Sequence, residues 1–144
     1  MFYFDTSFLV PLLLPEETSD RVDRFFQQLP AGAELVVSQW TRVEFISVLS
    51  RLVRMGELQT DIASLCSERF SILLTENLRV VLPSMADFDL CWKFMDRFDN
   101  SLRAGDALHF AIASNLAVEA ILTLDDGMLK EGRLLGLPVD RGIK

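Results

Sequence analysis

The sequence predicts an α/β fold, a three-layer α/β/α domain with a central parallel sheet of the doubly wound type. Short runs of Val, Leu, Ile and Phe alternate with helical patterns along the whole chain, as in parallel sheets covered by helices on both faces. Half of the 144 residues are hydrophobic, so the chain can bury a core and is not disordered. No repeat or Gly/Ser-rich linker divides it. We therefore expect a single domain over residues 1–144.

Polar and helix-breaking residues mark the ends of the elements in the first half of the chain. The pair Thr6-Ser7 follows the first apolar run and suits a turn and a helix start. Pro30 and Gly32 stop one helical pattern, and Gly56 stops another. The elements expected here are strands at Phe2–Asp5 and Leu35–Ser38 and helices at Phe8–Leu14, Thr18–Leu29, Thr41–Met55 and Thr60–Thr75.

Similar signals divide the second half of the chain. Pro83-Ser84 begins a helix directly after the third strand, and Asp99-Asn100-Ser101 separates that helix from the next. The elements expected here are strands at Arg79–Leu82, Ala120–Thr123 and Leu137–Asp140 and helices at Met85–Phe98, Ala104–Leu116 and Gly127–Leu135.

Four acidic residues stand at strand ends, at a helix start or on a helix, far apart in the chain. Asp5 ends the first strand, Asp125 follows the fourth, and Asp106 lies in the first turn of the helix before that fourth strand. Glu44 lies on the helix Thr41–Met55. The first and fourth strands of a doubly wound sheet are neighbours at the switch point, so these carboxylates are expected to meet there. Carboxylates so close repel unless a cation binds them, which predicts a site for a hard cation.

Each acid also has a local explanation that needs no function. Asp5 could form an Asx-turn or a helix cap, and one of Asp125 and Asp126 could cap the last helix. Asp106 suits the dipole at a helix start. Glu44 falls on a polar helix stripe and could simply be solvated beside an arginine. The joint placement of the acids, rather than any one of them, therefore favours a site.

Other residues of chemical interest are expected to be structural. His109 is the only histidine and lacks partners at zinc-ligand spacing, so we interpret it as a core or rim side chain with satisfied hydrogen bonds. Trp40 and Trp92 are interpreted as core residues of amphipathic helices. Cys66 and Cys91 are interpreted as reduced core residues, since nothing favours a disulfide. No motif for a nucleophilic serine or cysteine or for a phosphate loop is present.

Charge and hydropathy limit the environment of the protein. The formal charge of −7 argues against a non-specific coat for nucleic acid, although a metal site would use some of the acids. The apolar run Phe8–Leu14 is shorter than the roughly 18 residues of a membrane span. The N-terminus lacks the basic region and cleavage site of a signal peptide. We therefore expect a cytoplasmic protein without membrane contact.

Four segments, in order over nearly the whole chain, resemble the motifs of PIN-domain ribonucleases, most closely the VapC-type toxins of bacterial toxin–antitoxin pairs. FYFDTSFLV is similar to the opening strand with the first acid, Asp5. VSQWTRVEF is similar to the segment in which Ser38 precedes the second acid, Glu44, by six residues. LRAGDALHFAIA is similar to the helix with the third acid, Asp106, and TLDDGMLKEGRLLGLPV to the segment with the fourth, Asp125. Each motif is short, and their succession carries the signal.

The resemblance implies a PIN-like, Rossmann-like domain that cleaves RNA with Mg²⁺ or Mn²⁺, ions that all-oxygen ligand sets suit. Asp5 and Asp106 would be the direct metal ligands. Asp125 would ligate through water or orient the attacking water, and Glu44 would act without direct contact or bind a second ion. Two hydroxyls, those of Thr6 and Ser38, would hydrogen-bond the carboxylates or the RNA phosphate.

The resemblance also implies partners. We expect a homodimer and a cognate antitoxin that covers the acidic cleft. The Leu- and Phe-rich N-terminal helices are the expected docking face for the antitoxin.

Three other functions fit parts of the pattern. A response-regulator receiver domain needs an acid after its third strand and a lysine after its fifth, but Pro83-Ser84 and Asp140-Arg141 stand there. A haloacid-dehalogenase-type phosphatase needs Asp-x-Asp after the first strand, but Ser7 stands two residues after Asp5. A catalytically silent PIN-like domain that binds a partner protein is the non-enzyme alternative. Retention of all four acids argues against it.

Overall fold

The computed structural model describes residues 1–144 and contains five strands and seven α-helices. The strands are β1 (Phe2–Phe4), β2 (Leu35–Ser38), β3 (Arg79–Val81), β4 (Ala120–Leu122) and β5 (Val139–Asp140). The helices are α1 (Thr6–Leu9), α2 (Ser19–Gln28), α3 (Gln39–Arg54), α4 (Thr60–Glu76), α5 (Met85–Met95), α6 (Ala104–Asn115) and α7 (Asp126–Leu134). All strand pairs are parallel, and the strand order is β3-β2-β1-β4-β5. The predicted three-layer α/β/α fold with a central parallel sheet is confirmed.

The switch point of the sheet lies between β1 and β4. Their residues pair in register, with Tyr3 opposite Ile121 and Phe4 opposite Leu122. The chain winds outward from β1 in one direction through β2 and β3, and in the other through β4 and β5. The ends of β1 and β4 therefore open into one crevice, as predicted for this topology.

The core has two halves, one on each face of the sheet. Because successive side chains of a strand point to opposite faces, Tyr3 packs in a cluster with Phe110 of α6, whereas Phe4 packs with Phe8 of α1 and Phe45 of α3. All five side chains are fully buried. These two layers of side chains hold the helices against the sheet and position the crevice between β1 and β4.

Several predicted boundaries change for local reasons. Helix α1 begins at Thr6 because Asp5 caps it, and the segment Val10–Leu12, with Pro11 in its first turn, is a 3₁₀ turn. Helix α5 ends at Met95, earlier than predicted, and Phe98 beyond it has a positive φ of 56° that no right-handed helix adopts.

The structure also corrects three residues expected in the core. The side chain of Trp92 is exposed, and Trp40 is only partly buried. Both cysteines are free, as expected, but Cys91 is half-buried, whereas Cys66 lies in the core. None of the helices is long and apolar enough to span a membrane.

Candidate active site

Asp5 lies at the end of β1 with its carboxylate almost completely buried. It caps α1, because its Oδ2 accepts from the Ser7 backbone N–H at 3.3 Å and its Oδ1 accepts from the Ser7 hydroxyl at 2.8 Å. Burial raises the pKa of the Asp5 carboxyl, and the two bonds from Ser7 offset only part of that rise. A helix cap would not need this burial, so the local explanation of Asp5 is incomplete.

Ser7 joins the ends of β1 and β4. Its Oγ accepts from the backbone N–H of Leu124 at 2.9 Å and lies 3.3 Å from Thr123 Oγ1, which in turn accepts from the Asp125 N–H at 3.1 Å. The two strand ends are therefore tied together through side chains. From the sequence, Ser7 was expected only in a turn and helix start, although its position two residues after Asp5 was the available signal.

Asp125 is the acid that caps α7. Its Oδ1 accepts from the Met128 N–H at 2.8 Å, and its side chain is exposed. Asp126, by contrast, pairs with Arg141 at the surface. Asp125 therefore both caps α7 and is the acid assigned to the site, and its Oδ2 remains available to other partners.

Asp106 is the acid whose pKa the other three carboxylates affect. It lies half-buried in the first turn of α6. Burial, followed by the negative charges of Asp125, Glu44 and Asp5, raises the pKa of Asp106 to about 6. The other three acids therefore lie close enough to Asp106 to affect its ionisation.

Glu44 is held in place rather than solvated. Its Oε2 accepts from Thr6 Oγ1 at 2.5 Å and lies 2.6 Å from His109 Nε2. Although burial opposes ionisation, the bonds from His109 and Thr6 lower the pKa of Glu44. Its Oε1 lies beside α6, where a Cβ on Gly105 would be only 2.9 Å away. The polar residues on the same face of α3 therefore do not predict the actual neighbours of Glu44.

Two neighbours of Glu44 were missed as site residues. His109 is 1% exposed, and its Nδ1 lies 2.8 Å from the Tyr3 hydroxyl. It has satisfied hydrogen bonds, as expected, but they lead to the acidic site. The indole nitrogen of Trp40 is buried near Glu44 and has no geometrically good hydrogen-bond partner. The position of His109 one helical turn after Asp106 was the only sequence signal.

The two predicted hydroxyls occupy different positions. Thr6 bonds the Glu44 carboxylate, as one of its expected roles required. Ser38 is fully buried, and its Oγ caps α3 by accepting from the Thr41 N–H at 3.4 Å. The expected contact of Ser38 with substrate is therefore corrected. Its side chain is buried at the end of β2 and caps α3 instead.

The whole arrangement corresponds to a known family. The model of the PIN domain matches residues 2–133, a segment that includes all four acids. This chain belongs to the PIN domain family. The resemblance inferred from the four sequence segments is thereby confirmed.

Solved structures share the fold of this PIN domain. VapC20 of Mycobacterium tuberculosis, described as a sarcin-ricin loop cleaving toxin, has a TM-score of 0.72 at 20% identity and covers 92% of this chain and 95% of its own. VapBC2 of Rickettsia felis, bound to a promoter DNA fragment, has a TM-score of 0.74 at 14% identity, and the match covers 97% of this chain and 98% of that chain. FitAB bound to a DNA fragment has a TM-score of 0.74 at 16% identity, and the match covers 97% of this chain and 94% of that chain. These identities show a shared fold, and no curated protein matches the chain significantly.

The acids of this PIN domain are not arranged as a ready metal site. No group of three or more His, Cys, Asp or Glu side chains is placed so that it could hold a metal ion. The carboxylates nevertheless raise the pKa of Asp106 by repulsion, and burial raises that of Asp5. Oxygen donors whose negative charge is disfavoured in this way fit Mg²⁺ or Mn²⁺, since a bound cation would offset the repulsion.

Proposed function

We propose that this PIN domain is a metal-dependent endoribonuclease and the toxin of a toxin–antitoxin pair. It hydrolyses RNA phosphodiester bonds at Asp5, Glu44, Asp106 and Asp125. The observation that carries the proposal is the placement of Asp5 and Asp125 just after β1 and β4, the paired strands of the switch point, with Asp106 in the first turn of α6. Membership of the PIN family supports it, as does the fold shared with an RNA-cleaving toxin.

Asp5 and Asp106 would hold Mg²⁺ or Mn²⁺. When bound, the ion would polarise the scissile phosphate and favour a hydroxide nucleophile. Asp125 uses Oδ1 for the α7 cap, so its Oδ2 accepts a hydrogen bond from the attacking water. Glu44 uses Oε2 for Thr6 and His109, which leaves Oε1 for water or substrate. Arg103, exposed at the start of α6, is a candidate phosphate contact.

An antitoxin would cover the acidic cleft. Several of the solved structures with this fold are complexes named VapBC or FitAB, which supports such a partner. The N-terminal helices expected to bind it contribute no exposed large hydrophobic side chain. Exposed Val43 and Ile46 lie instead on α3, where they line a groove against α4. We therefore assign the apolar part of the antitoxin contact to this groove between α3 and α4.

A second copy of the chain would cover an apolar stripe on α5. Met85, Phe88 and Trp92 share one face of the helix at i, i+3 and i+7, and Leu82 precedes them. All four are exposed, and together they present on the order of 600 Å² of surface. A standard interface buries about 800 Å² per partner, so this α5 stripe would provide most of a homodimer contact.

RNA cleavage by the purified protein tests the function. Total RNA is incubated with Mg²⁺, Mn²⁺ or chelator, and the rate is compared among wild type, Asp5→Asn and Asp106→Asn. Both substitutions should lower the rate by more than about 100-fold, because they remove direct metal ligands.

Asp126→Asn is the matched control, since that exposed acid lies beside Asp125 but pairs with Arg141. Full activity in chelator, or in Asp5→Asn, would refute the mechanism. Intact RNA in every reaction would favour the catalytically silent alternative.

A further inference from the structure

The hydrogen bonds around Glu44 are distributed unequally over its two oxygens. Oε2 receives both short contacts, from Thr6 Oγ1 at 2.5 Å and from His109 Nε2 at 2.6 Å. Oε1 faces the first turn of α6 at Gly105, directly before Asp106 in the sequence. One oxygen therefore anchors the carboxylate, and the other lies beside the first turn of α6, which carries Asp106.

The anchor continues inward from His109 to Tyr3. Nδ1 of the imidazole lies 2.8 Å from the Tyr3 hydroxyl, and both side chains are almost completely buried. Burial raises the pKa of Tyr3 well above its usual value, so the hydroxyl keeps its proton. The Glu44 carboxylate can only accept, so the Nε2 that lies 2.6 Å from it donates, and Nδ1 is left as the acceptor for the Tyr3 hydroxyl.

We propose that Tyr3 and His109 are positioning residues that set the direction of the Glu44 carboxylate. Tyr3 donates to Nδ1, which holds the ring proton on Nε2, and Nε2–H donates to Glu44 Oε2. Rotation of the carboxylate is thereby blocked, and Oε1 stays beside the first turn of α6, next to Asp106. This inference rests on the proposed nuclease function for its effect on rate, but the tautomer it requires is independent of activity.

The tautomer can be measured directly because His109 is the only histidine in the chain. Long-range ¹H–¹⁵N NMR of the Mg²⁺-containing protein at neutral pH distinguishes a protonated from an unprotonated ring nitrogen. Wild type should show protonated Nε2 and unprotonated Nδ1. Tyr3→Phe, which removes only the hydroxyl, should lose this preference. A proton on Nδ1 in wild type, or the same tautomer in Tyr3→Phe, would overturn the relay even if the protein cleaves no RNA.

The effect on rate is tested with a pair of substitutions at His109. His109→Gln keeps an N–H donor near the Nε2 position, whereas His109→Leu removes it. The Leu variant should lose roughly 10- to 100-fold in kcat, as expected for a misdirected group, with little change in KM, and the Gln variant should regain most of the loss. Ile112→Val, one turn further along α6 in the core, is the control for lowered stability. It should lower Tm without changing kcat. Equal losses in Gln and Leu, or none in Leu, would show that His109 only packs the core.

Discussion

Asp106 shows how one residue reports on the metal-free site. Burial and the charge of Asp125 raise its pKa from the ordinary 3.8 to about 6. The folded protein thus holds this proton more tightly than the unfolded chain. The resulting stabilisation is full below about pH 4 and is lost as the pH rises through about 6. Glu44 has a lowered pKa, so its contribution is lost only as the pH falls below its ordinary value of 4.5.

The metal-free protein should therefore melt at a lower temperature at about pH 7 than at about pH 5. Asp106→Asn should remove much of this dependence of melting temperature on pH, because it removes the titrating carboxyl and the repulsion together. Melting curves in chelator across this range provide the measurement, with Asp126→Asn as the exposed control. An unchanged slope in Asp106→Asn would place the titration on another group.

At the scale of elements, α3 and α6 approach each other at Gly105 and Glu44. Alanine in a helix is normally more stable than glycine by roughly 0.5–1 kcal/mol. At Gly105, however, a Cβ would lie 2.9 Å from Glu44 Oε1 and 3.2 Å from Trp40 Nε1. The carboxylate cannot swing away without breaking its bonds to Thr6 and His109. The close approach of the two helices therefore requires glycine at this position.

Gly105→Ala should lower the free energy of unfolding, by about 1 kcal/mol, instead of raising it. In a protein that also carries Glu44→Ala, Gly105→Ala should lower the free energy of unfolding less, because the side chain nearest to the added Cβ is gone. Urea unfolding of the two single variants, the double variant and wild type measures this coupling. Strict additivity of the two changes would mean that Glu44 does not limit the approach of α6.

At the scale of the molecule, the α5 stripe is an exposed apolar patch at the upper end of the size found on monomers. The largest patch on a typical monomer covers roughly 300–600 Å² and is often functional, and larger patches mark interaction sites. Wild type should therefore be a dimer by sedimentation or light scattering, and Trp92→Glu should be a monomer because it would bury a charge within the contact. Met55→Glu, which alters another exposed hydrophobic residue at the end of α3, should remain dimeric. Dimeric Trp92→Glu would assign the contact to another face.

The sequence by itself determined the order of the elements and the position of the acids along them. Buried strands are continuous apolar runs, and residues such as Ser84 and Gly56 begin or end helices through their own backbone chemistry, so both signals are local. The pairing of β1 with β4 also followed from sequence, because few topologies suit alternating strands and helices. The wheel pattern of α5 showed an apolar face but not what that face meets, so Trp92 was wrongly expected in the core.

Only the tertiary structure decided the surroundings of each acid. Glu44 has polar neighbours on its own helix, and its actual partners, Thr6 and His109, come from α1 and α6. The approach of those helices depends on packing on both faces of the sheet and on the absence of a side chain at Gly105. Hydrogen bonds between distant segments form only where packing brings donor and acceptor within about 3 Å. No local pattern encodes that distance, so the direction of the Glu44 carboxylate could not be predicted from its helix.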